Sequence, residues 1–80
     1  MNSTEKKLAD QIRYALEDFK KTQNDFDLAS QHIYRAIEVS SRFNMAVNVF
    51  GEDFSSHFGQ DELRSIDHAE VCAINAYNLI

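Results

Sequence analysis

Proline and tryptophan are absent from this chain of 80 residues, cysteine occurs once, and glycine occurs only at Gly51 and Gly59. Without proline, nothing fixes φ and removes a backbone donor in the middle of a helix, so long helices are limited only by the two glycines and by polar turns. A lone cysteine, Cys72, excludes an intramolecular disulfide, and no paired Cys/His spacing marks a structural zinc site. That usage fits a reducing compartment, and the cytoplasm is the expected location. No apolar run approaches the roughly 20 residues of a membrane span. The start, Met1-Asn2-Ser3-Thr4-Glu5-Lys6-Lys7, turns charged too early for a secretory signal, and Tyr77-Asn78-Leu79-Ile80 offers no cysteine to prenylate. A soluble, unanchored protein is expected.

Positive charge is also scarce: eight Lys and Arg stand against thirteen Asp and Glu, a formal charge of -5. Nucleic-acid phosphates are bound by clustered Lys and Arg, so this balance disfavours nucleic acid as a partner. The basic residues gather early, as Lys6, Lys7, Arg13, Lys20 and Lys21, while the later half is more acidic. Such asymmetry suits head-to-tail contacts or a basic partner, though a solvated surface is the commoner reason for it. At this length one domain, residues 1–80, is expected, burying only about 60% of the surface its unfolded chain exposes. Association with a second copy would relieve that shortage.

The apolar residues that are present recur at helical steps. Leu8, Ile12, Ala15, Leu16 and Phe19 form one stripe, giving a first helix over about residues 3–22, with Asn2 and Glu5 spaced for reciprocal capping. Thr22-Gln23-Asn24-Asp25-Phe26-Asp27 reads as a turn, because Asn and Asp side chains compete for backbone groups. The heptad pattern does run through this segment in phase, from Leu8 and Ile12 to Phe43 and Val47, so one continuous coiled-coil helix is the competing reading. Seam-flanking charges that would set zipper pairing are missing, and a hairpin is preferred. A second helix, about 27–50, carries Leu28, Ile37, Val39, Met45 and Val49 around its girth and is expected to be central and most buried, with Ala29, Ala36 and Ser40 letting the first helix approach while Ile33, Phe43 and Val47 fill the space around them. A third, about 61–79, presents Leu63, Ile66, Ala69 or Glu70, Ala73, Ile74, Tyr77 and Ile80 along a mostly apolar face. The expected fold is an all-α, compact three-helix bundle.

Between the second and third helices lies Val49-Phe50-Gly51-Glu52-Asp53-Phe54-Ser55-Ser56-His57-Phe58-Gly59. Phe50, Phe54 and Phe58 continue the stripe of Phe43 and Val47, so a short helical turn at about 52–58 pinned by three rings is expected. Gly51 and Gly59 would close helix and turn in the left-handed conformation. A Ser-His-Asp site from Ser55 or Ser56, His57, and Asp53 or Asp61 is the reactive alternative. It fails on geometry, since neighbours on one turn point apart and no Gly-x-Ser-x-Gly elbow exposes the serine. No enzyme activity and no cofactor is expected.

His68 and Cys72, four apart, can present two metal ligands on one helix face, with His57 and Asp61 or Glu62 as further donors. This supports an alternative reading, a small metal- or ligand-binding helical protein using His57, His68 and Cys72. A third reading, a nucleic-acid-associated regulator, would bring Asp61, Glu62 and Asp67 to the groove against one arginine, Arg64, and ranks last. The leading expectation is a non-enzymatic protein–protein interaction module, a small acidic regulator or inhibitor that binds another protein and forms a homodimer. Tyr14, Tyr34, Arg35 and Tyr77 are the candidate interface residues, since tyrosine combines apolar area with a hydroxyl. His32 and Arg42 would extend a polar patch around Tyr34 and Arg35.

Overall fold

A computed structural model describes residues 3–23, 27 and 29–78, apart from the Tyr77 side chain. Helix α1 is Ser3–Thr22, α2 is Ala29–Phe50 and α3 is Gln60–Asn78, with a 3-10 helix at Glu52–His57 between the last two. The described elements are all helical, and they form the expected three-helix bundle with its short additional turn. Asn2, Asn24, Asp25, Phe26, Leu28, Leu79 and Ile80, which entered the sequence reading, lie outside the described residues.

α1 carries Glu5 in its first turn and Lys20 and Lys21 in its last, each sign placed where it complements the helix dipole. Its stripe buries Ala9, Ile12, Ala15, Leu16, Phe19 and Thr22. The chain then reverses, and the hairpin is stitched beside its turn by side chains. Thr22 Oγ1 donates to the Phe19 carbonyl at 2.9 Å and lies 3.0 Å from His32 Nδ1. The His32 ring stacks on Phe19 with centroids 4.4 Å apart. α1 and α2 therefore fold back on each other within one chain, and the continuous helix is excluded.

α2 packs along both α1 and α3, whereas those two meet at few points. It is central, as expected, yet it is not the most buried helix: only Ala36, Val39 and Ala46 are buried on it. The reason is visible in its pattern. Its apolar residues encircle it, and two neighbours cover only one side, so Ile33, Tyr34, Met45 and Val49 remain exposed. Of the small residues expected to admit α1, Ala36 is fully buried, Ser40 is half-buried and Ala29 is exposed. On α3, Ile66, Ala69, Ala73 and Ala76 face inward, while Ile74, expected on the same face, is half exposed to solvent.

The turn after α2 is pinned as the phenylalanine spacing predicts. Phe54 is fully buried and Phe58 nearly so; Phe50 stacks on Phe54 at 5.8 Å, and Phe58 meets Phe54 edge-on at 5.8 Å and Phe43 at 5.8 Å. Gly51, between α2 and the 3-10 helix, has φ 88° and ψ 174°. That is an extended positive-φ region open essentially to glycine alone, rather than the left-handed helical region expected. Gly59 departs from expectation further. Gly51 is the glycine recorded with positive φ among the described residues, and Gly59 instead caps α3. Its carbonyl accepts from Leu63 N at 3.0 Å, and its N–H donates to Glu62 Oε1 at 3.1 Å, one arm of a capping box.

Candidate functional site

His57, which ends the 3-10 helix, and Phe58, which follows it, are clasped by α1. The His57 side chain is only 8% exposed, and its Nε2 lies 3.0 Å from Glu5 Oε1 on the first turn of α1. Arg13, two turns further along α1, donates through Nη2 to the His57 carbonyl. Its Nε donates to Glu62 Oε2 at 3.0 Å and its Nη1 to Asp10 Oδ1 at 2.9 Å. The guanidinium carbon sits 5.0 Å from the centroid of the Phe58 ring. One planar fork thus binds α1, the turn and the start of α3, a task suited to arginine because its donors are rigidly arranged and its face stacks on aromatic rings. Glu62 serves twice, capping α3 with one oxygen and holding Arg13 with the other.

The serine hydroxyls of the turn are bound within the turn itself. Ser55 donates its hydroxyl to the Glu52 carbonyl at 2.8 Å and Ser56 to the Asp53 carbonyl at 2.7 Å. His57, the required base, has its Nε2 turned to Glu5. A nucleophile–base pair would need these side chains directed at each other.

The interface candidates fall on different faces. Tyr14 on α1 is 74% exposed and Tyr34 on α2 is 73% exposed. Arg35 is half-buried and occupied, with Nη1 3.1 Å from Glu38 Oε2, and Arg42 reaches the same carboxylate at 3.7 Å. Tyr77 lies within α3, its side chain outside the description. The polar patch expected around Tyr34 is divided, because His32 turns inward to Thr22 and Phe19.

Around the girth of α2, Tyr34, Met45 and Val49 fall within about 60° of one another at 100° per residue. All three point away from α1 and α3, and they are 73, 63 and 68% exposed. Met45 and Val49 lie one turn apart, as do Val71 and Ile74 on α3, which are 54 and 52% exposed. Sequence periodicity concealed most of this surface: Tyr34 stood among the interface candidates, but Met45 and Val49 were legible only as further core.

His68 Nε2 and Cys72 Sγ are 3.8 Å apart on α3. Among the described residues no group of three or more His, Cys, Asp and Glu is arranged to hold a metal ion. His57, the further donor proposed for such a site, is enclosed against Glu5. Among the described residues no helix is long and apolar enough to cross a membrane.

The clasp could not be found from sequence. Arg13 reads there as one of several early basic residues, Glu5 as a cap and Glu62 as a dipole charge, and no local signal joins positions separated by 44, 49 and 52 residues. No family model, curated protein or solved structure matches the chain.

Proposed function

We propose that this chain is a non-enzymatic protein-interaction module, a small acidic regulator or inhibitor of the cytoplasm that acts by binding another protein and associates with a second copy of itself. The observation that carries the reading is the outer face of α2, where Tyr34, Met45 and Val49 are left in solvent by a bundle whose other two helices lie on the opposite side. Single exposed apolar residues are ordinary, but aligned ones with a methionine and a tyrosine have the composition of contact surfaces, where aromatic residues and Met are enriched. The unpaired cysteine supports a reducing location. The polar network at the turn supports a rigid scaffold, since His57 and Arg13 tie α1 to the turn and to α3 while Ser55 and Ser56 bond back within the turn.

A photoreactive residue at position 45, compared with one at exposed Lys7, tests this in the cell of origin. One heterologous protein should be crosslinked from position 45 alone, the adduct should disappear with Tyr34→Glu, and the identified protein should bind the purified chain. Equal adducts from both positions would overturn the assignment of this face.

A further inference from the structure

α1 and α3 run in the same direction with a constant offset. Arg13 meets Glu62 and Phe19 meets His68, both pairs 49 residues apart. Because both helices lean on α2 and touch each other sparsely, a groove follows their seam, and its two halves carry opposite charge. Nearer the turn, a hollow of about 250 Å³ is lined by Asp10, Arg13, Tyr14, Glu17 and Glu62, three carboxylates against one guanidinium. Arg13 is already held by Asp10 and Glu62, so the charge of Glu17 is uncompensated. Further along, a hollow of about 190 Å³ is lined by Phe19, Lys20, Gln23, Arg64, Ser65 and His68. No ion pair among the described residues involves Lys20 or Glu17. The acid nearest Arg64 is Asp61 at 3.8 Å, with side chains 78 and 97% exposed, a contact that solvent leaves weak.

A groove that is acidic at one end and basic at the other is complementary to itself turned end over end. A two-fold axis across the seam between Glu17 and Lys20 sets each acidic half against the basic half of the other copy, and a closed isologous pair results. A parallel arrangement would set like charge on like. Tyr14, 74% exposed at the acidic half, adds an aromatic ring of the kind that anchors interfaces. We propose that the α1–α3 seam is the surface through which two copies of this chain associate, antiparallel, with Glu17 of each copy facing Lys20 of the other. This rests on the reading of the chain as a self-associating module and leaves the outer face of α2 free for a different protein.

Sedimentation velocity on charge-reversed chains tests it. The unaltered chain should sediment as a dimer at about 100 µM in low salt and shift toward monomer as salt rises to about 0.5 M, where the screening length falls to a few Å. Glu17→Lys alone and Lys20→Glu alone should each be monomeric, weakened at least ~10-fold by like-charge contacts. An equimolar mixture of the two variants should dimerise, and so should the chain carrying both changes. Both positions are exposed, and circular dichroism checks that each variant retains its helices. Dimerisation of the unaltered chain that is indifferent to salt and to both reversals would overturn the seam while leaving self-association intact. A monomer under all conditions would overturn both.

Discussion

Replacing Phe54 by alanine removes the ring on which the turn depends. Phe54 is 0% exposed, and its ring centroid lies 6.2 Å from Phe43, 5.8 Å from Phe50, 5.3 Å from His57 and 5.8 Å from Phe58. Phe-to-Ala changes at such sites cost about 3–5 kcal/mol, the transfer loss being compounded by the cavity left behind. The upper half of that range is expected here, because four rings are tied to one position and each aromatic pair adds about 0.5–1.5 kcal/mol beyond its buried area. A chain of this size has a total stability of roughly 4–12 kcal/mol, so a loss of about 4 kcal/mol takes a third or more of it. Urea unfolding followed by far-ultraviolet circular dichroism reads the loss. With m near 1 kcal/mol/M, the midpoint should fall by about 4 M, or the variant should be unfolded without denaturant. Phe54→Leu, which keeps most of the volume, should lose only about 1 kcal/mol and keep the same m. A loss below about 1 kcal/mol for Phe54→Ala at unchanged m would refute the reasoning, since no enclosed ring in a packed cluster is so lightly replaced.

Gly51→Ala should cost about 1–3 kcal/mol by thermal or urea unfolding, because its positive φ is closed to L residues, although an added Cβ would meet no atom within 4 Å. D-alanine at position 51 in a synthetic chain should restore the stability; equal loss from both would place the cost elsewhere. Arg13→Lys should lose about 1 kcal/mol in urea unfolding, since an ammonium cannot reproduce the fork across the His57 carbonyl, Glu62 and Asp10, the figure kept low for the partial exposure of the pair. Lysine rescuing arginine fully would reduce the clasp to simple charge attraction. A chelator such as EDTA should leave the melting temperature unchanged, and a fall of several degrees would show a bound metal that stabilises the fold.

The helices were legible because their signals are local. The stripe from Leu8 to Phe19 and the four-residue recurrence of Phe50, Phe54 and Phe58 each lie within a few turns, and the observed bounds, Ser3–Thr22 and Glu52–His57, follow them closely. Periodicity could not say which apolar residues of α2 go uncovered. That depends on how many neighbours a helix has, and two helices on one side leave Tyr34, Met45 and Val49 outside. Glycine spacing marked both ends of the turn but not their mechanism. Gly51 supplies an extended positive-φ corner, while Gly59 is tied by the Glu62 side chain, an assignment that depends on side-chain reach. The clasp of Arg13 and the two-signed seam of α1 and α3 arise only once distant segments are brought together, and the early basic and later acidic bias along the chain does not map onto that seam, whose two halves each draw on both helices.

The claim that this is a metal-free, self-associating interaction module is tested most directly by native mass spectrometry of the purified chain over a concentration series at low ionic strength, which reports subunit number and retained metal together. The account predicts a dimer without metal, growing with concentration at the expense of monomer. A monomer at every concentration carrying one stoichiometric metal ion would contradict it and return His68 and Cys72 to the centre of the problem.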